Sequence, residues 1–411
     1  MSALTSNEVL RRGPGGLKAW LTQQVMALIP FGMGLLRRFR PIMRLGKTYV
    51  VTLHDDVREV FGTDAAFGVV YNDNLQVITG GEPFFLAMPD SPAYRAQLQA
   101  MQRVAVASDL PALGNRAEAL AEAVVAASNG RVEVVSLVRQ VAFGVIPPYF
   151  GVLAPEQGRL DVWATRLFEF QFTGSPDDKE LRAEVDEIAP AFRAHIDREI
   201  ARRKATSDET DDVLGRCLER QAAGEAGYSD VAIRTALLCM VVGGPPQPPM
   251  VVPQAMEQLL RRPDVLANAH RAAADGNDAE LHDIVLEAMR FDPLAPGMPR
   301  IALADWTVAR GTKRATTIPK GATVLAAFAS AMMDERRVPE PQRFKPGRLP
   351  YEYIHFGCGM HECFGRYINH ATLHRMLKPL LRRPNLRRAE GQDGRLQKKG
   401  IFADRLCVLH D

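Results

Sequence analysis

Cysteine is scarce in this chain. Only Cys217, Cys239, Cys358, Cys363 and Cys407 occur, an odd and scattered set. That excludes a disulfide-stapled secreted scaffold and suits a reducing cytoplasm. Charge of one sign is also missing. With 51 Lys and Arg against 48 Asp and Glu, the formal charge is +3 over 411 residues, too little to support a nucleic-acid partner. No convincing nicotinamide, flavin or iron–sulfur motif occurs, and no repeat period or low-complexity linker divides the chain. Long apolar runs are absent too. The most apolar stretch, Val25 to Leu36, is about a dozen residues interrupted by Pro30, too short to span a bilayer. No small-residue cleavage pattern follows it, which argues against a signal peptide.

What is present is an ordinary globular composition, 46% hydrophobic and 24% charged, with ample length for a large core. Residues 17–45 mix apolar side chains with Lys18, Arg37, Arg38, Arg40 and Arg44. Such a segment either lies on an anionic membrane surface or is an ordinary packed helix with solvated arginines. The expected division is an amphipathic extension over 1–45 packed on a catalytic domain over 46–411. Residues 48–53 read as a strand and 54–61 as the helix after it. From about 110 to 240 the text is helical, with Ala- and Leu-rich segments between polar breaks. Strands return around 306–309 and 322–328. The expected fold is therefore one mainly α domain carrying a minor β-sheet region.

Chemistry concentrates in one stretch, Phe356-Gly-Cys-Gly-Met-His-Glu-Cys-Phe-Gly365. Gly357 and Gly359 permit backbone angles that side chains forbid. Leu373, Leu377, Leu380 and Leu381 then recur at helical spacing, so an amphipathic helix is expected from about Cys363 to about Arg383. A sulfur at a helix N-terminus meets free amides and the positive dipole end, which favour the thiolate a metal needs. The string matches F-G-x-G-x-H-x-C-x-G and resembles the heme-binding loop of the cytochrome P450 superfamily, bacterial and soluble type. The resemblance implies heme b as cofactor, Cys363 as the axial thiolate ligand of its iron, His361 as a propionate contact, and Phe356 and Gly357 in the cofactor cradle.

Further strings extend the resemblance over roughly 285–385. Glu287-Ala-Met-Arg290 is followed by Pro293, Arg300 and Pro341-Gln-Arg343-Phe344. The resemblance implies a buried structural triad of Glu287, Arg290 and Arg343, with Arg300 as a propionate ligand; a bidentate arginine suits a carboxylate. It also makes Phe84, Phe85 and Leu86 candidate pocket residues, although core packing accounts for them equally. Many bacterial members begin the helix after that segment with Asp-x-Pro-x-His-x-x-x-Arg. Here Asp90 and Pro92 match, Tyr94 stands at the histidine position, Leu98 at the arginine position, and Arg95 is the candidate substitute.

The largest departure lies near 243–249. Oxygen-activating relatives carry glycine, an acid and threonine on the central helix, and the acid and alcohol organise the water that protonates dioxygen. This chain has Gly243-Gly244-Pro245-Pro246-Gln247-Pro248-Pro249. Gly243 and Gly244 fit; Pro246 replaces the acid and Gln247 the threonine. Proline removes a backbone donor and clashes with a preceding carbonyl, at about 3 kcal/mol inside a helix, so the helix is expected to break or bulge here. Gln247 hydrogen-bonds but has no titratable proton in the useful range. Three functions remain open. One is oxygen insertion into an apolar, lipid-like molecule, with electrons from an external ferredoxin and reductase. The second is a peroxygenase or hydroperoxide-rearranging enzyme using hydrogen peroxide or an organic hydroperoxide, with Gln247 positioning the peroxide oxygen. The third is a non-catalytic heme sensor or carrier. His370 and His374, at i and i+4 on the helix after Cys363, have a spacing that also suits zinc, but they lack a visible third ligand and read as packed or solvated side chains.

Overall fold

The alanine- and leucine-rich stretches become helices stacked on one another, and the short β-branched runs gather into sheets at one side. A computed structural model describes residues 9–11, 28–29, 31–175, 177–206 and 210–411. The helices that frame the site are α1 (His54–Gly62), α2 (Asn72–Thr79), α3 (Pro92–Val104), α4 (Leu110–Ala126), α5 (Val134–Tyr149), α6 (Leu160–Thr173), α7 (Lys179–Thr206), α8 (Asp230–Gly243), α9 (Pro248–Leu260), α10 (Asp278–Phe291) and α11 (Arg366–Leu381). Ser91, Ser229 and Asn277 cap α3, α8 and α10 through side-chain oxygens that accept a backbone N–H two or three residues on, so polar residues at these breaks start the helices.

The main sheet has five strands, β1 (Ile42–Leu45), β2 (Thr48–Val51), β3 (Phe67–Val69), β4 (Met298–Ala302) and β5 (Thr323–Ala326), in the order β1-β2-β5-β4-β3. Its register places Arg300 between Val69 on one neighbour and Val324 on the other. The expected mainly α domain with a minor sheet is what forms. The expected border at 45 falls inside a hairpin, because Leu45 pairs with Thr48 and Ile42 with Val51. Residues 42–45 thus belong to the sheet, residues 31–39 form a helix before it, and residues 17–27 and 30 of the expected 17–45 segment lie outside the described residues.

One large apolar cluster joins the helices, and a second, smaller one lies between α1 and the main sheet. Helix α11 lies along α4, tied at its rim by Lys378 to Glu118 at 3.0 Å and Arg382 to Glu122 at 2.9 Å. Burying the leucine face of α11 fixes where the loop before it can go.

Candidate active site

The loop from Phe356 to Gly365 folds back between α11 and the end of α1. Gly357 and Gly359 have φ of +71° and +80°, where a side chain is strained. A Cβ on Gly359 would also sit 2.6 Å from the Phe61 carbonyl oxygen, so the loop could not seat on α1 with any larger residue. Cys363 N–H donates to the Phe356 carbonyl at 2.9 Å, and Glu362 N–H to Gly359 at 3.1 Å. The Gly365 amide donates to the cysteine sulfur. Helix α11 starts at Arg366 with Gly365 as its cap, so Cys363 stands before the helix rather than on its first turn. Burial accordingly wins over the helix end and pushes the Cys363 thiol up to about 11, the Gly365 amide and Arg366 opposing it. A bound cation would reverse that balance, since a coordinated thiol is deprotonated outright.

Behind the loop, Glu287 and Arg290 are wholly buried and joined by two bonds of 2.7 and 2.8 Å. The third member is not Arg343. Its side chain is 70% exposed and pairs with Glu340; only its carbonyl reaches the cluster, accepting from Arg290 and Arg348. Arg348 takes the place, its Nε 3.1 and 3.2 Å from the two Glu287 oxygens. Tyr353 Oη and the Lys345 amide complete the carboxylate's shell. The family resemblance implied Arg343, but the turn after Phe344 sends Arg348, the fifth residue after Arg343, inward. The intervening Pro346-Gly347 pair, with Gly347 at φ +72°, is the signal for that reversal.

Cys363 keeps accessible surface although it is deep in the fold, and a Cβ added to either Gly357 or Gly243 would meet no atom within 4 Å. Arg300 is buried, its guanidinium 4.8 Å from the Phe61 ring centre and bonded to the Pro299 carbonyl. Among the described residues it has no carboxylate partner, and burial lowers its pKa, Tyr71 and Asp64 opposing. Tyr71, at the start of α2, was not anticipated. Its hydroxyl donates to the Leu86 carbonyl at 2.8 Å. Burial pushes it up to about 12, in a setting where Arg300, Cys363 and Cys239 of α8 all act on it.

The neighbouring expectations fare unevenly. Both His361 ring nitrogens are engaged, Nδ1 with Asp64 at 3.2 Å and Nε2 with the Met88 carbonyl at 3.0 Å. A propionate contact would require one of these to open. The Tyr94 hydroxyl donates to the Met360 carbonyl at 2.9 Å, so it steadies the loop. Arg95 is no substitute for the missing arginine, because it is exposed and held by Asp90. Phe84 and Phe85 are core residues, and Phe85 packs 5.6 Å from Phe364 in the loop.

The central helix breaks where the prolines require it. α8 ends at Gly243 and α9 begins at Pro248. Pro245 and Pro246 have no N–H to give the carbonyls of Val241 and Val242, four residues earlier. One Gln247 side-chain N–H closes on the Gly243 carbonyl, while its backbone N–H turns to Gly244 at 3.2 Å. Gly244 is required by contact: a Cβ there would lie 2.7 Å from the Met240 carbonyl oxygen and 3.2 Å from Ile146.

His370 and His374 acquire a third histidine, His282 of α10, whose Nε2 lies 2.8 Å from His370 Nδ1. Desolvation lowers both His370 and His374 to about 4, with His282 adding to the effect. Among the described residues no group of three or more His, Cys, Asp or Glu is arranged to hold a metal ion.

Three observations fit heme b: Cys363 is not fully buried as a residue, a Cβ at Gly357 or Gly243 would meet no atom within 4 Å, and Arg300 is buried with no carboxylate bonded to it among the described residues. The comparisons agree. The family model described as Cytochrome P450 matches residues 162–403. Mycinamicin IV hydroxylase/epoxidase of Micromonospora griseorubida is 26% identical over 388 residues, 86% of this chain and 88% of that protein. A bifunctional dioxygenase–epoxy alcohol synthase of Fusarium oxysporum is 29% identical over 200 residues, 46% of this chain but only 16% of that protein. The solved structure of a mutant of P450 EryK in complex with erythromycin B superposes with a TM-score of 0.76 at 22% identity, covering 94% of this chain and 97% of that one. Ligand loop, buried Glu–Arg pair, fold and family match converge, and the chain belongs to the cytochrome P450 family, whose cofactor is heme b.

Proposed function

We propose that this chain converts an organic hydroperoxide, of the unsaturated fatty-acid kind, into an oxygenated isomer. The observation that carries the proposal is the break from Gly243 to Pro248. It holds neither acid nor alcohol, and the side chain at the alcohol's place is tied to the backbone. Heme b, when bound, supplies an iron that cleaves O–O bonds. Cys363 would hold that iron, the Gly365 amide would orient the sulfur, and Arg300 would meet a propionate.

The protein's own residues do the rest. Pro245 and Pro246 keep a proton-relaying side chain out of the break between the two helices. The Gln247 carbonyl oxygen is an acceptor that can hold a hydroperoxide O–H but has no proton to deliver. A hydroperoxide brings its O–O bond ready-made and needs neither reductant nor relay. An unsaturated hydroperoxide and an epoxy alcohol have the same formula: the O–O bond and the π bond of one C=C are lost, two C–O bonds form, one closing the epoxide and one carrying the hydroxyl, and electrons balance within the molecule. The name of the Fusarium relative points the same way. A second reading, oxygen insertion driven by an external ferredoxin and reductase, is favoured by the near full-length match to the Micromonospora hydroxylase/epoxidase.

Heme-loaded protein offered a linoleic-acid hydroperoxide with no reductant should turn it over, and Gln247→Ala should redistribute the products. Inert peroxides, with turnover only when electron donors are added, would overturn the proposal in favour of the second reading.

A further inference from the structure

We infer that the helix over 31–39, with the strand that follows it, docks on an anionic lipid surface. Among the described residues, Leu28, Phe31, Leu35, Phe39 and Leu45 are large apolar side chains left in solvent, Phe31 and Phe39 each 70% exposed. Phe31, Leu35 and Phe39 are spaced i, i+4, i+8, which puts them in one row. Stretches this exposed are unusual on a soluble surface, where single scattered apolar residues are the norm.

The row is held outward. Arg37, between the apolar positions, donates to the Ser330 carbonyl at 3.2 Å and its hydroxyl at 2.9 Å. The Thr52 amide and hydroxyl both bond the Pro41 carbonyl, at 3.0 and 2.9 Å. These contacts clamp the far side of the helix and its exit to the body.

Charge selects the occupant. From Leu28 to Leu53 the sequence has five basic residues and no acidic one. Arg38, Arg40, Arg44 and Lys47 are exposed around the row, and Arg38 lies 5.4 Å from the Phe39 ring centre. Aromatic and aliphatic side chains in a row, rimmed by cations only, match the interface of a bilayer with acidic headgroups. No helix of the described residues is long and apolar enough to cross a membrane, so the association is one of lying on the surface. The inference does not depend on what the heme site oxidises.

The test is flotation of the full heme-loaded chain with phosphatidylglycerol vesicles and, separately, with phosphatidylcholine vesicles. Binding is expected to the anionic vesicles only, and to weaken in about 0.5 M salt as screening shortens. Phe31→Ser with Phe39→Ser should weaken it at least about tenfold, while Arg38→Ala with Arg40→Ala should remove the preference for acidic lipid. Unchanged Soret absorption and thermal midpoint in each variant show that the fold is intact. Absence of binding at low salt, or serine variants that bind as well as the parent, would overturn the inference. So would a concentration-dependent dimer lost in the same variants, which assigns the row to a second copy. Serine variants that lose thermal stability and float with neither vesicle would assign it to the chain's own packing.

Discussion

Replacing Arg348 by alanine removes six buried contacts at once. Its Nε bonds both Glu287 oxygens; Nη1 reaches Glu352 at 3.1 Å and the Pro339 carbonyl at 2.7 Å; Nη2 reaches the carbonyls of Glu340 and Arg343, both at 3.0 Å. Breaking a buried ion pair from one side costs about 3–5 kcal/mol. Glu287 retains Arg290, which places the loss near the lower end, at about 3 kcal/mol, against a typical total of about 5–15 kcal/mol. Arg343→Ala removes one exposed contact of 3.3 Å to Glu340, worth at most about 0.5 kcal/mol. Urea unfolding followed by far-UV circular dichroism, with heme content measured on the same samples, reads both. Arg348→Ala should lower the midpoint sharply and shed heme, and Arg348→Lys should recover only part, since a point charge cannot reproduce the fork. Equal losses in the two alanine variants, or a near-silent Arg348→Ala, would refute the assignment of the third triad position.

Other outcomes follow from the same geometry. Gly244→Ala should cost about 1–3 kcal/mol through overpacking, because its Cβ would meet Met240 and Ile146. Gly243→Ala meets nothing and should leave stability within about 0.5 kcal/mol while altering ligand-induced shifts of the Soret band. His370 and His374 are lowered to about 4, and His355, buried against the Leu286 carbonyl, to about 3. The unfolded chain therefore binds protons first. Stability contributed by these groups is complete above about pH 6.5 and declines toward pH 4, by up to about 1.4 kcal/mol per pH unit for each. His370→Asn with His374→Asn should flatten the urea midpoint across that window; an unchanged slope would contradict the cluster's role.

The ligand loop and the broken helix were readable because local chemistry dictates them. Gly357, Gly359 and Cys363 sit in an uninterrupted string, and four prolines within five residues leave a helix a single backbone donor there, Gln247. What was not readable depends on chain reversal. Arg348 reaches Glu287 only because the chain turns at Pro346-Gly347, and the family resemblance implied Arg343 instead. Tyr71 enters the site because α2 packs under α8 and near the loop, a long-range contact with no local mark. Helix-end chemistry at Cys363 was over-weighted, since α11 starts three residues later and desolvation dominates. His282 joins His370 and His374 through packing of α10 on α11, across 88 residues.

The most direct measurement is product analysis after incubating heme-loaded protein with a linoleic-acid hydroperoxide carrying oxygen-18 at both peroxide oxygens, without reductant. The proposed isomerisation keeps both labelled atoms in a product of unchanged mass formula. Product formed only with a ferredoxin, its reductase and dioxygen, and carrying unlabelled oxygen, would contradict it.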